Sequence, residues 1–162
     1  MFYIQYRDRE RRIRRRSFSY RRFRTMNSDF NVAVHALVYL DHKNTRLSSE
    51  ELAENICTNP TRVRKVLGKL KQAGLVRTRE GISGGYLLAK PAKEISLRDI
   101  REITGTTFVK AGWRSGDPDM ECLVAAGIAD VMDGIYAELD QLCATRLSTV
   151  SILDIEQRIF GA

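Results

Sequence analysis

Cysteine and histidine are scarce in this chain, and long apolar runs are missing. Three cysteines and two histidines occur among 162 residues. Cys57, Cys122 and Cys143 lie far apart, odd in number and not spaced as a zinc site requires. No Cys-x-x-Cys pair exists, and no cysteine has a histidine close in sequence, so a thiol-redox enzyme would lack its usual motif. Unpaired thiols of this kind point to a reducing cytoplasm. No apolar stretch reaches the roughly 18 residues that span a bilayer, and the start lacks the apolar core of a secretory signal.

Evenly spread charge is missing too. The net charge is +7, yet residues 1–25 hold ten Arg against Asp8 and Glu10. The remainder carries 17 basic and 18 acidic groups. Any basic surface on the folded part must therefore be local, and a nucleic-acid reading has to rest on where the charges lie. The leading segment (RERRIRRRSFSYRRFR) is too densely charged to collapse, which predicts disorder. It could be a flexible arm that tracks phosphates, or an Arg-rich targeting peptide. The favoured reading makes Met26 the true first residue, because helical patterning begins directly after it.

What is present is a regular succession of helix signals. A hydrophobic content of 43% suits one compact domain, or a small domain with a helical extension. Phe30, Val34, Leu37 and Val38 recur at spacings of three and four, predicting a first helix over about Ser28 to Asp41. Ser48 and Ser49 before Glu50 and Glu51 start a second helix, with Leu52, Ala53 and Ile56 inward. Asn59 as N-cap and Pro60 at the first helical position open a third, whose buried stripe is Val63, Val66, Leu67 and Leu70. Gly74 closes it. Leu75 to Arg79 and Tyr86 to Ala89 are expected strands around a glycine-rich tip, Glu80 to Gly85. Ser96 caps a short helix, Gly105 to Met120 is a loop, and a long helix runs from about Glu121 to Leu147. Ser148 begins a last helix. Cys57 and Cys143 fall on apolar faces and are expected in the core, and Trp113 is expected to anchor its loop to the body.

Helix, short turn, basic helix and hairpin together make a winged helix-turn-helix, in which the second helix enters the major groove of double-stranded DNA. The buried stripe leaves Thr61, Arg62, Arg64, Lys65, Lys69 and Lys71 to face outward, with no acidic residue between them. Arg can read guanine through two hydrogen bonds and Thr can contact bases, whereas Lys69 and Lys71 suit phosphate. Ser48 and Ser49 are placed for a phosphate at a helix start, or simply as caps. Arg77 and Arg79 would charge the wing, and Ser83, Gly84 and Gly85 form a tip that can approach DNA closely.

The start MNSDFNVAVHALVYL, the segment SSEELAENICTNPTRVRKVLGKLKQAGLVRTREGISGGYLLAK and the following ISLRDIREI resemble the Rrf-two family of bacterial transcription regulators. The resemblance covers nearly everything after residue 25. It implies a homodimer held by the long C-terminal helix on a near-palindromic operator, with Asn59, Thr61, Arg62, Arg64 and Lys65 at the recognition positions. Some members place an Arg before the first wing glycine, where this chain has Glu80. Cluster-binding members place three cysteines in the loop before the long helix, some with a histidine shortly after. Here only Cys122 stands there, Trp113 and Ser115 fill earlier positions, and Ala125 replaces the histidine. No iron–sulfur cluster and no other cofactor is therefore expected. Cys122 remains a candidate redox-sensing thiol if a helix N-terminus lowers its pKa, with Asp119 and Glu121 opposing that, or else an inert small residue. A small-molecule effector near Trp113 is the other candidate signal.

The reading is a mainly α protein with a two-stranded β wing. Residues 1–25 precede a winged helix-turn-helix over 26–91, and 92–162 form a loop and helical dimerisation region. The expected function is a non-enzymatic, cytoplasmic, homodimeric DNA-binding regulator, a repressor by mode of action since occupancy alone suffices. A protein-interaction winged helix is the alternative, disfavoured by the uninterrupted basic helix face.

Overall fold

A computed structural model of the chain describes residues 28–79, 81 and 84–161. The Arg-rich segment, Met26, Glu80 and Ser83 lie outside the described residues. Helix α1 (Ser28–Lys43) is the hub, burying Phe30, Val32, Ala33, Ala36, Leu37, Val38 and Leu40. It runs two residues beyond the predicted end and stops at Asn44, whose φ of 48° is left-handed. Around it pack α2 (Ser49–Ile56) and α3 (Pro60–Gln72). Ser48 caps α2 reciprocally: Glu51 N–H donates to Ser48 Oγ (3.2 Å) and Ser48 N–H donates to Glu51 Oε2 (2.7 Å). Asn59 Oδ1 accepts from Thr61 N–H at 2.7 Å, and Pro60 occupies the first turn of α3. Gly74 adopts φ 73° after α3 while Leu75 N–H returns to Leu70 O at 2.9 Å, a closed C-terminal cap.

Strands β1 (Val76–Arg79) and β2 (Gly85–Leu88) pair antiparallel, Val76 opposite Leu88 and Arg79 opposite Gly85. Each is displaced by one residue from its predicted start. The sequence gives no hint of a third partner. Leu47, just ahead of α2, exchanges both backbone hydrogen bonds with Tyr86, at 3.2 and 2.9 Å. A 3₁₀ turn (Ala92–Glu94) then leads to α4 (Leu97–Thr104), capped by Ser96 and Asp99.

Helix α5 (Leu123–Ser148) buries only Ala144. The last helix, α6 (Ile152–Phe160), does not begin at Ser148 as expected. Ser148 Oγ donates back to Thr145 O at 2.7 Å and so prolongs α5. Ser151 and Asp154 form the actual capping box. Leu97 N–H donates to Val150 O and Ile152 N–H to Ile95 O, so the chain returns to the body and buries Val150 and Ile152 beside Ile95 and Ile100. Cys57 is not a core residue. It is exposed at the left-handed C-cap of α2, because the helix ends before it can turn inward. Cys143 is half-buried on α5. Trp113 does not anchor its loop, being 80% exposed. Arg114 does so by pairing with Asp130 and Asp133 of α5, and Asp140 does so by accepting from Phe108 and Val109 N–H at 2.8 and 3.1 Å. Asp140 also pairs with Arg101 of α4. Burial pushes its carboxyl up, but the two amides and the guanidinium prevail and hold it below the usual carboxylate range.

Gly85 is where the wing meets α2. Its φ is 145°, and a Cβ there would stand 2.7 Å from Leu47 O. Gly85→Ala should destabilise the fold by about 1–3 kcal/mol in urea denaturation. Gly68→Ala, on α3 with open space around the added atom, should stabilise it by about 0.5–1 kcal/mol. Equal midpoints for the two variants would contradict this view of the wing joint.

Candidate nucleic-acid interface

The stripe Val63, Val66, Leu67 and Leu70 fixes the rotation of α3 about its axis, since all four are buried. Thr61, Lys65 and Lys71 face solvent as the periodicity requires. Arg62 and Lys69, seven residues apart and so on one side of the helix, are only partly exposed. They turn toward Asp29 at the start of α1, with Arg62 Nη2 3.2 Å and Lys69 Nζ 3.7 Å from its carboxylate. The expectation that both face freely outward is therefore corrected. The helix itself has no acid to oppose them, but its neighbour supplies one.

Arg64 is tied on the opposite flank. Its Nε donates to Ser49 Oγ at 3.0 Å and its Nη2 to Glu50 Oε1 at 2.5 Å. Ser49 Oγ in turn donates to Glu50 Oε2 at 2.9 Å. The Ser49 hydroxyl first, and then the Arg64 guanidinium, hold the Glu50 carboxyl below its ordinary range, so it is ionised at neutral pH. Ser49 is 8% exposed. Its hydroxyl supports a side chain of α3. Ser48 and Asn59 are likewise engaged as caps.

The start of α2, α3 and the root of the wing enclose a cleft of about 520 Å³. Ser48, Ser49, Glu50, Lys71, Arg79, Gly84 and Gly85 are among the residues that line it. Arg77 is not brought there. It lines a second hollow of about 310 Å³, with Asp41, Asn44 and Lys90. Ser83 lies outside the described residues. Sequence reasoning missed Asp29 and Glu50 as members of this surface. The acidic first turns of α1 and α2 were the available signal, but they suit the helix dipole equally well.

Cys122 is the exposed N-cap residue of α5. The backbone N–H of Ala125, and then that of Val124, holds its thiol below the ordinary cysteine range. It is remote in sequence from the cleft residues and belongs to the long helix. The arrangement as a whole can present hydrogen-bond donors and positive charge to a polyanion.

Residues 26–158 match the model of the Rrf2 family, described as an iron-dependent transcriptional regulator. The chain is 29% identical over 138 residues to YwnA of Bacillus subtilis (strain 168), a candidate HTH-type transcriptional regulator by name, covering 83% of this chain and 99% of that one. A crystal structure of a candidate transcriptional regulator from Lactobacillus plantarum superposes with a TM-score of 0.72 at 25% identity, over 83% and 91% of the two chains. CymR, the global cysteine regulator of B. subtilis, shares the fold with a TM-score of 0.61 at 16% identity, over 81% and 95%.

The family description names iron, so the donors among the described residues bear on it. A cluster needs several thiolates or imidazoles converging on one point. Among the described residues no three His, Cys, Asp or Glu side chains do so. Cys57 ends α2, Cys122 opens α5, and Cys143 lies on that same helix, about 30 Å away at the helical rise. The family match nonetheless runs through reading helix, wing and long helix without a break, and the chain belongs to the Rrf2 (Rrf-two) family of winged helix-turn-helix transcription regulators.

Proposed function

We propose that this DNA-binding regulator is a sequence-specific, homodimeric repressor that acts in the cytoplasm by occupying a near-palindromic operator and performs no catalysis. The observation that carries the reading is the outer side of α3, where Thr61, Arg64 and Lys65 are exposed and Lys71 of the same helix lines a cleft rimmed by the wing. Thr61, Arg64 and Lys65 suit base edges, Lys71 and Arg79 suit phosphates, and Lys69 does so on leaving Asp29. Asn59, Ser48 and Ser49 serve by placing these side chains. Arg62 contributes to base reading only on leaving Asp29.

The dimer reading rests on α5. Val131, Ile135, Leu139 and Leu142 recur at spacings of four, four and three, and all are exposed, Leu142 by 66%. Leu123 and Val124 extend the apolar side toward the helix start, 88% and 72% exposed. Such a seam on a 26-residue helix matches what a second helix covers. Covering the exposed part of these side chains contributes up to about 1.5–3 kcal/mol each, least for Ile135 and Leu139, which are already more than half covered. No described helix is long and apolar enough to cross a membrane. A dimer would present two copies of α3, which operators accommodate with half-sites about one helical turn apart.

The signal we assign to Cys122. Peroxide would oxidise its thiolate to sulfenic acid as the peroxide O–O bond breaks and hydroxide leaves to take a proton from solvent, placing a polar group at the start of the seam. The helix need only favour the non-binding dimer geometry for DNA to be released.

Gel retardation on fragments from the protein's own locus should give a complex that weakens steeply with salt. Lys65→Ala should weaken it roughly five- to hundredfold, and no complex at low salt would end the reading. Sedimentation should give a dimer for the wild type and a monomer for Ile135→Asp. A dimer that survives this change has its contact elsewhere. Iodoacetamide should alkylate Cys122 with a midpoint at lower pH than free cysteine. Peroxide should release the DNA from wild type but not from Cys122→Ser, and an equal response of both would remove Cys122 from signalling.

A further inference from the structure

We infer that Glu50, backed by Ser49, is a specificity-determining positioning residue that aims Arg64 at a base pair and keeps it from serving as a phosphate anchor. The inference rests on the DNA-binding reading above.

Arg64 is held at two of its nitrogens by two consecutive residues of a different helix. The grip is closed on itself, because the Ser49 hydroxyl that accepts from Arg64 also donates to Glu50. Ser49 is buried, so the grip has a fixed base. Arg64 remains half-exposed, with its side chain 51% accessible, which leaves guanidinium donors for a partner from outside. Stability does not account for this arrangement. An ion pair as open as Arg64–Glu50 adds little to folding, and α3 is already fixed by its buried stripe.

The chemistry of the two available DNA targets differs. Guanine offers neutral acceptors, O6 and N7, to a guanidinium fork. A carboxylate on the far side of that fork does not oppose such a contact. A phosphate is anionic, and approaching Arg64 brings it toward the ionised Glu50 paired with that guanidinium. Glu50 therefore selects between partners by charge and fixes the fork by geometry. Lys65, Thr61 and Lys71 have no such restraint among the described residues. The same helix thus carries one oriented reader beside unrestrained cations. Arg62 differs, since its partner Asp29 draws it toward α1.

The test starts with selection of duplexes from a random-sequence pool by the wild-type protein, followed by titration of wild type, Glu50→Ala, Glu50→Gln, Arg64→Ala and Glu50→Ala/Arg64→Ala on the selected duplex, on its single-base variants and on an unrelated duplex. Arg64→Ala should flatten the preference at one base-pair position by roughly five- to hundredfold. Glu50→Ala should flatten the same position, tighten binding to unrelated DNA, and steepen the salt dependence by about one phosphate. In the Arg64→Ala background it should change the base preference no further. Glu50→Gln keeps an acceptor without the charge, so it should retain more of the base preference while gaining affinity for unrelated DNA. Thermal melting confirms that each variant is folded.

Tighter binding of Glu50→Ala to all duplexes by one common factor would reduce Glu50 to a bulk charge and overturn the proposal. So would an effect of Glu50→Ala on base preference that persists without Arg64. A wild-type protein that selects no sequence would instead remove the DNA-binding reading itself, and this inference with it.

Discussion

The two backbone hydrogen bonds between Leu47 and Tyr86 hold the interface together. They join the residue that precedes α2 to the middle of β2, and so place the first turn of α2 against the wing. Ser49 and Glu50 occupy that turn and hold Arg64 of α3. One short bridge thereby sets three elements relative to each other. It is possible only because Gly85 has no side chain where Leu47 O passes. The apolar core under α1 stabilises the assembly without defining this edge, since packed side chains tolerate small slides that paired backbones do not.

Charge on the folded part is almost balanced, and the interface repeats that balance at small scale. Asp29 takes up Arg62 and Lys69, and Glu50 takes up Arg64. A polyanion approaching α3 meets a few unrestrained cations among several that are already engaged. Such a surface attracts DNA less strongly than its count of basic residues suggests, and a larger share of its affinity must come from contacts that depend on sequence.

Much of the fold was legible because its signals are local. The caps at Ser48, Asn59 and Ser96, the stripe of α3 and the glycine after it all act within a few residues, where periodicity and capping rules apply. What escaped was non-local. The Leu47–Tyr86 bridge joins segments 39 residues apart, and nothing in either segment announces the other. The restraint of Arg62 and Arg64 comes from acids on other helices, invisible when α3 is read alone. Cys57 and Trp113 were misplaced for a related reason. An apolar position in sequence becomes buried only if some other element arrives to cover it, and none does. At Ser148 and Ser151 two hydroxyls competed for one cap, and the paired carboxylate of Asp154 decided between them.

The return of the chain after α5 has a topological consequence. Val150 and Ile152 bond Leu97 and Ile95 on either side of a Ser96–Ser151 bridge, so the excursion that leaves after α4 comes home beside the start of that helix. Loop and long helix are in effect an appendage inserted between two members of one compact body. Its length, its thiol content and its outward surface can diverge between relatives while the body that touches DNA keeps its architecture, so one scaffold can be fitted with many different receivers.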